Sequence, residues 1–416
     1  MSSPDPAASY AAVFRLPHAR VTFGAALAGR LGYGVLGLAL VLSLTAAAGS
    51  LAAGGLLSTV FGTVSVVLGP ARADLVDRWG ARRALPSLAL PFATALLALA
   101  WCAGPYSGAA GRPGTAVLAL LAAAAGSLCP PIGPTMRAVW GALAPDEALL
   151  QRAFSLDTVA EELLFLVGPL IAVAMHPVPA LALSGLLIAA GSCALAASPA
   201  ARLMAAPDPG APQGRQGQLR SRLRLLSAEG AGVRRAAGAA LAVGACLGGI
   251  DLYVIACADR AHHPGAVGWV LAGQSAGSAI GGLLHGRMTW RRSAAGRLSP
   301  LLAALAALLA VDAAASGVLP LLAACVAATG TLMAPALSTA YLAAARLAPD
   351  GTATRATGWV NSAVNAGSSA GGALAAVLVA TAPLPVCFLA TAAVPALGAL
   401  RAGVRGRNGQ VRTTTP

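Results

Sequence analysis

Apolar stretches of about 20 residues, the length that crosses a hydrocarbon core as a helix, recur along the whole chain, and nearly every charge falls in the short segments between them. Only 10% of the 416 residues are charged and 57% are hydrophobic, against about 25% charged in a soluble domain. So few charges cannot cover a surface facing water. The bilayer is the solvent this chain suits, and there each segment must satisfy its own backbone N–H and C=O groups as a helix. Twelve spans are predicted, at residues 21–48, 51–71, 84–103, 115–138, 154–175, 179–198, 236–257, 265–286, 298–316, 319–344, 356–380 and 384–402. The expected fold class is all-α and integral to the membrane.

Charge orients the spans. With the amino terminus inside, the inner segments hold Arg15 and Arg20; Arg72, Arg78, Arg82 and Arg83; Arg137 and Arg152; a long central run; Arg287, Arg291, Arg292 and Arg297; Arg346 and Arg355; and Arg401, Arg405, Arg407 and Arg412. The outer segments hold only Arg112 and Arg260. That asymmetry is what the positive-inside rule requires, and a missed span would invert it downstream. Both termini are expected in the cytoplasm and the protein in the cytoplasmic membrane. The longest polar stretch, Ala201–Arg235, contains Pro207, Pro209 and Pro212 and splits the spans six and six. Within it, Leu219–Leu226 reads equally as a basic amphipathic helix on anionic headgroups and as a solvated linker. The organisation that follows is a lead at 1–20, an N-terminal half at 21–198, a basic connector at 199–235, a C-terminal half at 236–403 and a tail at 404–416.

A net charge of +14 would suit a nucleic-acid partner, but the charge is scattered in inter-span clusters rather than gathered on one face, so none is expected. The amino terminus shows no cleavable signal: the polar lead runs into a long span with no small-residue cleavage site before it. The seven cysteines lie in or beside apolar stretches without C-x-x-C spacing, which reads as small buried hydrophobes rather than disulfides or a metal site. His262, His263 and Asp259 read as solvated loop residues. No G-x-x-x-x-G-K-[ST] is present, nor any Lys to complete one. ATP on this chain is not the energy source, no cofactor is expected, and a proton gradient takes its place.

Between spans 2 and 3 stands Asp77-Arg78-Trp79-Gly80-Ala81-Arg82-Arg83. A degenerate counterpart, Gly286-Arg287-Met288-Thr289-Trp290-Arg291-Arg292, follows span 8, the equivalent place in the second half. The first motif, the six-plus-six split and the basic connector together resemble the major facilitator superfamily of transporters, in particular an actinobacterial-type efflux permease. The resemblance covers the whole chain in topology and about fifteen residues in motif. It implies two six-helix halves around a central cavity and a monomer with a small-molecule substrate in the bilayer. It also implies that Asp77 faces the amino-terminal end of helix 11, near residues 355–358, where a helix dipole favours a carboxylate. Asp77, Arg78, Gly80, Arg82 and Arg83 would then form a conformational latch; a plain basic loop is the alternative. Ala73 stands where the family usually has Gly.

Charges inside spans are costly and mark function by default. Arg30 lies about ten residues into span 1. Asp157, Glu161 and Glu162 lie in the first half of span 5, with Asp157 and Glu161 on one face at i and i+4. The expectation is that Glu161 or Glu162 pairs with Arg30 and that one of these acids carries a coupling proton; a structural ion pair is the equal alternative. Arg137, with Gly141 four residues on, is read as a second partner for Asp77 or Asp157 at the edge of span 4. Gly168-Pro169 resembles the end of a helix-5 motif of family exporters. By family analogy, Arg30, Asp251, Gln274, Asn361 and Asn365 are substrate-cavity candidates, the two Asn residues serving equally as interhelical glue. Gly273, Gly277 and Gly281, and Gly367 and Gly371, form small-residue stripes for close helix packing. Asp312 is placed at the periphery, with no role.

The reading is a secondary transporter working by alternating access, exporting a small molecule in exchange for protons. An uptake symporter or uniporter is the nearest alternative, and a non-transporting membrane enzyme or sensor a more distant one. Short loops and the absence of H-E-x-x-H argue against an enzyme.

Overall fold

The computed structural model describes residues 10–104, 114–202, 230–263, 266–349 and 352–410. Arg112, the candidate amphipathic segment Leu219–Leu226 and most of the connector lie outside the described residues. All regular structure among the described residues is helical, and twelve helices are long and apolar enough to cross a membrane. They are α1 (Ala19–Ala48), α2 (Leu51–Trp79), α3 (Ala81–Ala103), α4 (Thr115–Leu128 and Ile132–Leu143), α5 (Glu147–Met175), α6 (Pro177–Ala197), α7 (Ala231–Arg260), α8 (Val267–Arg287), α9 (Ala294–Ala315), α10 (Leu319–Gly330 and Met333–Leu347), α11 (Ala353–Thr381) and α12 (Leu384–Gln410). Leu120, Leu170, Val67 and Trp269 stand exposed on their helices, as a lipid-facing surface requires.

Local chemistry sets the helix ends. Ser50 caps α2 by accepting from the Ala53 N–H at 3.2 Å, Ser293 caps α9 through the Gly296 N–H at 3.3 Å, and Asp146 caps α5 through the Leu149 N–H at 2.8 Å. The segment expected as a loop between spans 2 and 3 is helical instead. Gly80 alone joins α2 to α3, at φ 73°, a left-handed backbone that suits a residue without Cβ. Asp77 and Arg78 therefore stand in the last turn of α2 rather than in a loop.

Two spans predicted as continuous are broken, and they hold the same place in each half. In α4, Pro130 and Pro131 remove two backbone donors in a row and end the first segment after Leu128. In α10, the N–H groups of Thr331 and Leu332 reach back only three residues, to Ala328 and Thr329, at 3.0 and 3.2 Å. The second segment of α10 then starts with its Ala334 N–H bonded to Ser278 of α8 at 3.0 Å.

The chain forms two compact units. The N-terminal unit holds Val13–Ala144 and Ala160–Ala211. In it α1 packs on α6, α3 on α6 and α2 on α4, around fully buried Leu85, Phe92, Leu96 and Leu99. Glycines bring backbones together: a Cβ on Gly168 of α5 would land on the Gly34 backbone of α1, and one on Gly126 of α4 on the Phe61 carbonyl of α2. The C-terminal unit holds Pro145–Val159, everything from Pro212 onward and the segment ahead of Val13. There α7 packs on α11, α8 on α10 and α9 on α12. The close contacts repeat in order: Gly367 and Gly371 of α11 meet the Leu241 and Ala245 carbonyls of α7, and Gly277 and Gly281 of α8 meet the Ala327 and Thr331 carbonyls of α10. Gly273 is looser, with only the Ala327 side chain nearby at 3.7 Å. The pairing of first with fifth and second with fourth helix thus recurs in both units, the internal repeat that the two arginine motifs hinted at.

Candidate functional site

Glu161 follows Glu147 by fourteen residues in the 29-residue α5, about 21 Å along the helix axis. That places it at mid-helix, because α5 starts seven residues earlier than its predicted span. Arg137 is displaced inward too. Span 4 was predicted to end at 138, whereas the second segment of α4 runs to Leu143. The two meet: Arg137 forms an ion pair with Glu161, with none of the Arg137 side chain exposed and 20% of the Glu161 side chain. The expectation was that Glu161 or Glu162 pairs with Arg30 and that Arg137 serves Asp77 or Asp157; the structure shows an Arg137–Glu161 ion pair.

Arg30 still belongs to this cluster. It is buried in α1, and its Nη2 donates to the Gly133 carbonyl at 3.4 Å. Gly133 is the meeting point. A Cβ there would lie 3.2 Å from Arg137 Nη1 and 3.6 Å from both Arg30 Nη2 and Glu161 Oε1. Gly133 is also the second residue of a half-helix whose amino-terminal end lies inside the unit, so its dipole favours the Glu161 carboxylate. Three residues beyond Arg30, Tyr33 donates to the Pro130 carbonyl at 2.6 Å. One face of α1 thus holds the break in α4 open. The Glu162 oxygens are buried in the same stretch of α5, and Asp157, one turn earlier, is fully buried. Sequence reasoning missed Tyr33 and Gly133. The signal was the Pro130-Pro131 pair in mid-span, with Tyr33 one turn from Arg30.

Chemically, the cluster is a carboxylate held by one guanidinium, with a second nearby and a helix terminus behind it. A buried pair of this kind is stable only while both charges are present; removing one leaves an uncompensated buried charge, at about 3–5 kcal/mol. Adding a proton to Glu161 acts in the same direction, since it removes the charge that Glu161 sets against Arg137. The arrangement can therefore convert proton binding into a change of packing between α4 and α5.

The other expected residues take separate places. Arg78 pairs with Asp74, one turn back on α2; Arg82 and Arg83 are exposed at the start of α3. Arg72, also on α2, donates to the carbonyls of Gly126 and Ser65. Asp251 on α7 and Asn365 on α11 are exposed, and Gln274 is buried on α8. Asn361 accepts from the Tyr341 hydroxyl at 3.2 Å, tying α11 to α10. Among the described residues, no hydrogen bond joins Asp251, Gln274 and Asn365 to one another. No three His, Cys, Asp or Glu side chains among the described residues are grouped as a metal site.

A second buried polar cluster lies in the C-terminal unit, and nothing in the sequence reading anticipated it. Gln151, near the start of α5, donates to the His285 and Met288 carbonyls at 2.9 and 3.1 Å. It accepts from Arg297 at 2.7 Å. Thr339 contacts the His285 ring at 3.1 Å, and the Arg297 guanidinium lies 5.3 Å from the Trp290 ring centroid. These bonds explain why Pro145–Val159 belongs to the C-terminal unit although it precedes the connector. Tyr10, ahead of α1, joins the same unit by donating to the Leu283 carbonyl at 2.6 Å. Burial raises its phenol to about 12, so it stays a donor throughout the physiological range.

No family profile and no curated protein matches the sequence. Solved structures do match the fold. The human organic anion transporter MFSD10 superposes with a TM-score of 0.67 at 15% identity, covering 93% of this chain and 99% of that one. A bacterial homologue of the iron transporter ferroportin, in an outward-facing state, gives 0.68 at 15% identity over 92% and 97%. The E. coli fucose:proton symporter FucP, a major facilitator superfamily transporter, gives 0.64 at 16% identity over 92% and 98%. Twelve helices in two repeated halves, matched over nearly their full length, give this chain the major facilitator superfamily fold.

Proposed function

We propose that this chain is a secondary transporter that exports a small molecule in exchange for protons by alternating access, with Glu161 as the proton carrier. The observation that carries the reading is the Arg137–Glu161 pair beside Arg30, buried at the break of α4. An intramembrane acid whose protonation removes a charge set against a buried guanidinium has the property a coupled transporter needs. The fold supports the transport class, since the solved structures that share it are named as transporters and one as a proton symporter. Export is favoured by the Gly168-Pro169 resemblance. The close contact of Gly168 with Gly34 gives that glycine a packing role in either direction, so uptake with protons is the reading to be separated from it. The latch role of Asp77, Arg78, Gly80, Arg82 and Arg83 is part of the same proposal.

The test is proton movement in reconstituted vesicles challenged with a panel of drugs, amino acids, sugars and organic anions. Protein with the parent sequence is compared with Glu161→Gln and Glu162→Gln. Substrate-evoked proton movement should be present in the parent and absent in Glu161→Gln, with its sign opposite to substrate flux. Proton and substrate moving together would give symport instead. Substrate flux without proton movement would return the acids to a structural role.

A further inference from the structure

The geometry points to a proton-binding site in the C-terminal unit, at Asp312 on α9. Asp312 was expected at the periphery, yet it is fully buried. Its Oδ2 accepts from the Thr329 hydroxyl of α10 at 2.8 Å, while its Oδ1 is buried with no hydrogen-bond partner. One neutral donor serves two carboxylate oxygens. A carboxylate in a low-dielectric interior needs a cation or several donors, and without them it takes a proton instead.

The surroundings supply no such cation. Cys325, one turn before Thr329 on the same segment of α10, is the titratable group that faces Asp312. It bears no positive charge in either form. The other helices packed on α9 are α7 and α12, and among the described residues neither forms an ion pair or hydrogen bond with Asp312. A metal ion is a poor occupant, since hard divalent cations take about 6–8 oxygen ligands and here two side chains converge. A proton on Oδ1 needs only the carboxylate: it forms one O–H bond, leaves Oδ2 to the Thr329 hydroxyl, and returns to water when the site ionises.

The location gives the site a consequence. Thr329 is in the last turn of the first segment of α10, two residues before the break at Thr331. Thr329 gives its hydroxyl to Asp312 at 2.8 Å and its carbonyl to the Leu332 N–H at 3.2 Å, so one residue bonds both the carboxylate and the break. Protonation at Asp312 is thereby linked to how the two segments of α10 meet. This site stands apart from Glu161 and does not depend on the transport reading.

The experiment is infrared difference spectroscopy on the purified full chain in detergent, without substrate, at mildly acidic pH, where an ordinary aspartate is ionised. A protonated-carboxyl band should be present, lost in Asp312→Asn, and shifted to higher frequency in Thr329→Val, which removes the hydrogen bond to the carboxyl oxygen. Glu161→Gln should leave that band in place. An unchanged spectrum in folded Asp312→Asn would overturn the proposal. Should that variant not fold, an unshifted band in Thr329→Val would overturn it equally. Since no transport is measured, this result and the failure of the transport reading are separately visible.

Discussion

A guanidinium with no exposed surface is tolerated inside a membrane protein only while something offsets its charge. For Arg137, Glu161 is an ion-pair partner that does so. The prediction belongs to the pair rather than to either residue. Arg137→Leu and Glu161→Leu should each destabilise the folded protein in detergent by about 3 kcal/mol, because each leaves a buried charge uncompensated. The double variant should cost less than the sum, since it leaves neither charge behind. A double-mutant cycle on unfolding midpoints checks this, and additive losses would show that the two charges are satisfied independently. The single charges in the spans were legible at once, because Arg30, Glu161 and Glu162 are conspicuous in apolar surroundings. Their pairing was not. It depended on the depth of Arg137, and depth was measured from a span end placed where the apolar run stops, five residues short of where α4 ends.

The same difference recurs along the elements. Hydropathy detects the part of a helix that lies in hydrocarbon, but a helix does not stop where its charges begin. Hence Asp74, Asp77 and Arg78 stand in α2, and Gln151 and Arg152 in α5, ahead of the predicted edges. The breaks in α4 and α10 were hidden for another reason. Apolar composition is the same on both sides of Pro130-Pro131, where only the proline pair marks the break, and nothing in Thr331-Leu332 signals one. The glycine stripes were legible as a pattern but not in their detail. In α8 only Gly277 and Gly281 press on backbone, while Gly273 faces a methyl group at 3.7 Å. Gly281→Ala should therefore force α8 from α10 and destabilise by at least about 1–3 kcal/mol, whereas Gly273→Ala should be close to neutral. Thermal unfolding of the two variants in one detergent gives the comparison, and equal midpoints would mean that the α8–α10 contact yields without cost.

For the whole molecule, the repeat carries the most information. The first helix meets the fifth through glycines in one unit, as the seventh meets the eleventh in the other, and the fourth and tenth are both broken. If all twelve helices that are long and apolar enough to cross do so, the crossings are even in number, and the ends are expected on the same side of the membrane. The arginine distribution carries the expectation that this side is the cytoplasm: the segments that share the side of the termini carry all but Arg112 and Arg260 of the arginines assigned to the turns. With single cysteines placed at residue 3 and residue 414 in a background lacking the native seven, both should resist a membrane-impermeant thiol reagent in intact cells. Both should react once the membrane is opened, while a cysteine at Arg112 should react in intact cells. Labelling of one terminus alone would mean an odd number of crossings and a missing or extra span. Labelling of both would leave the repeat intact and invert the charge rule, removing the physical basis for placing the Arg-rich turns in the cytoplasm.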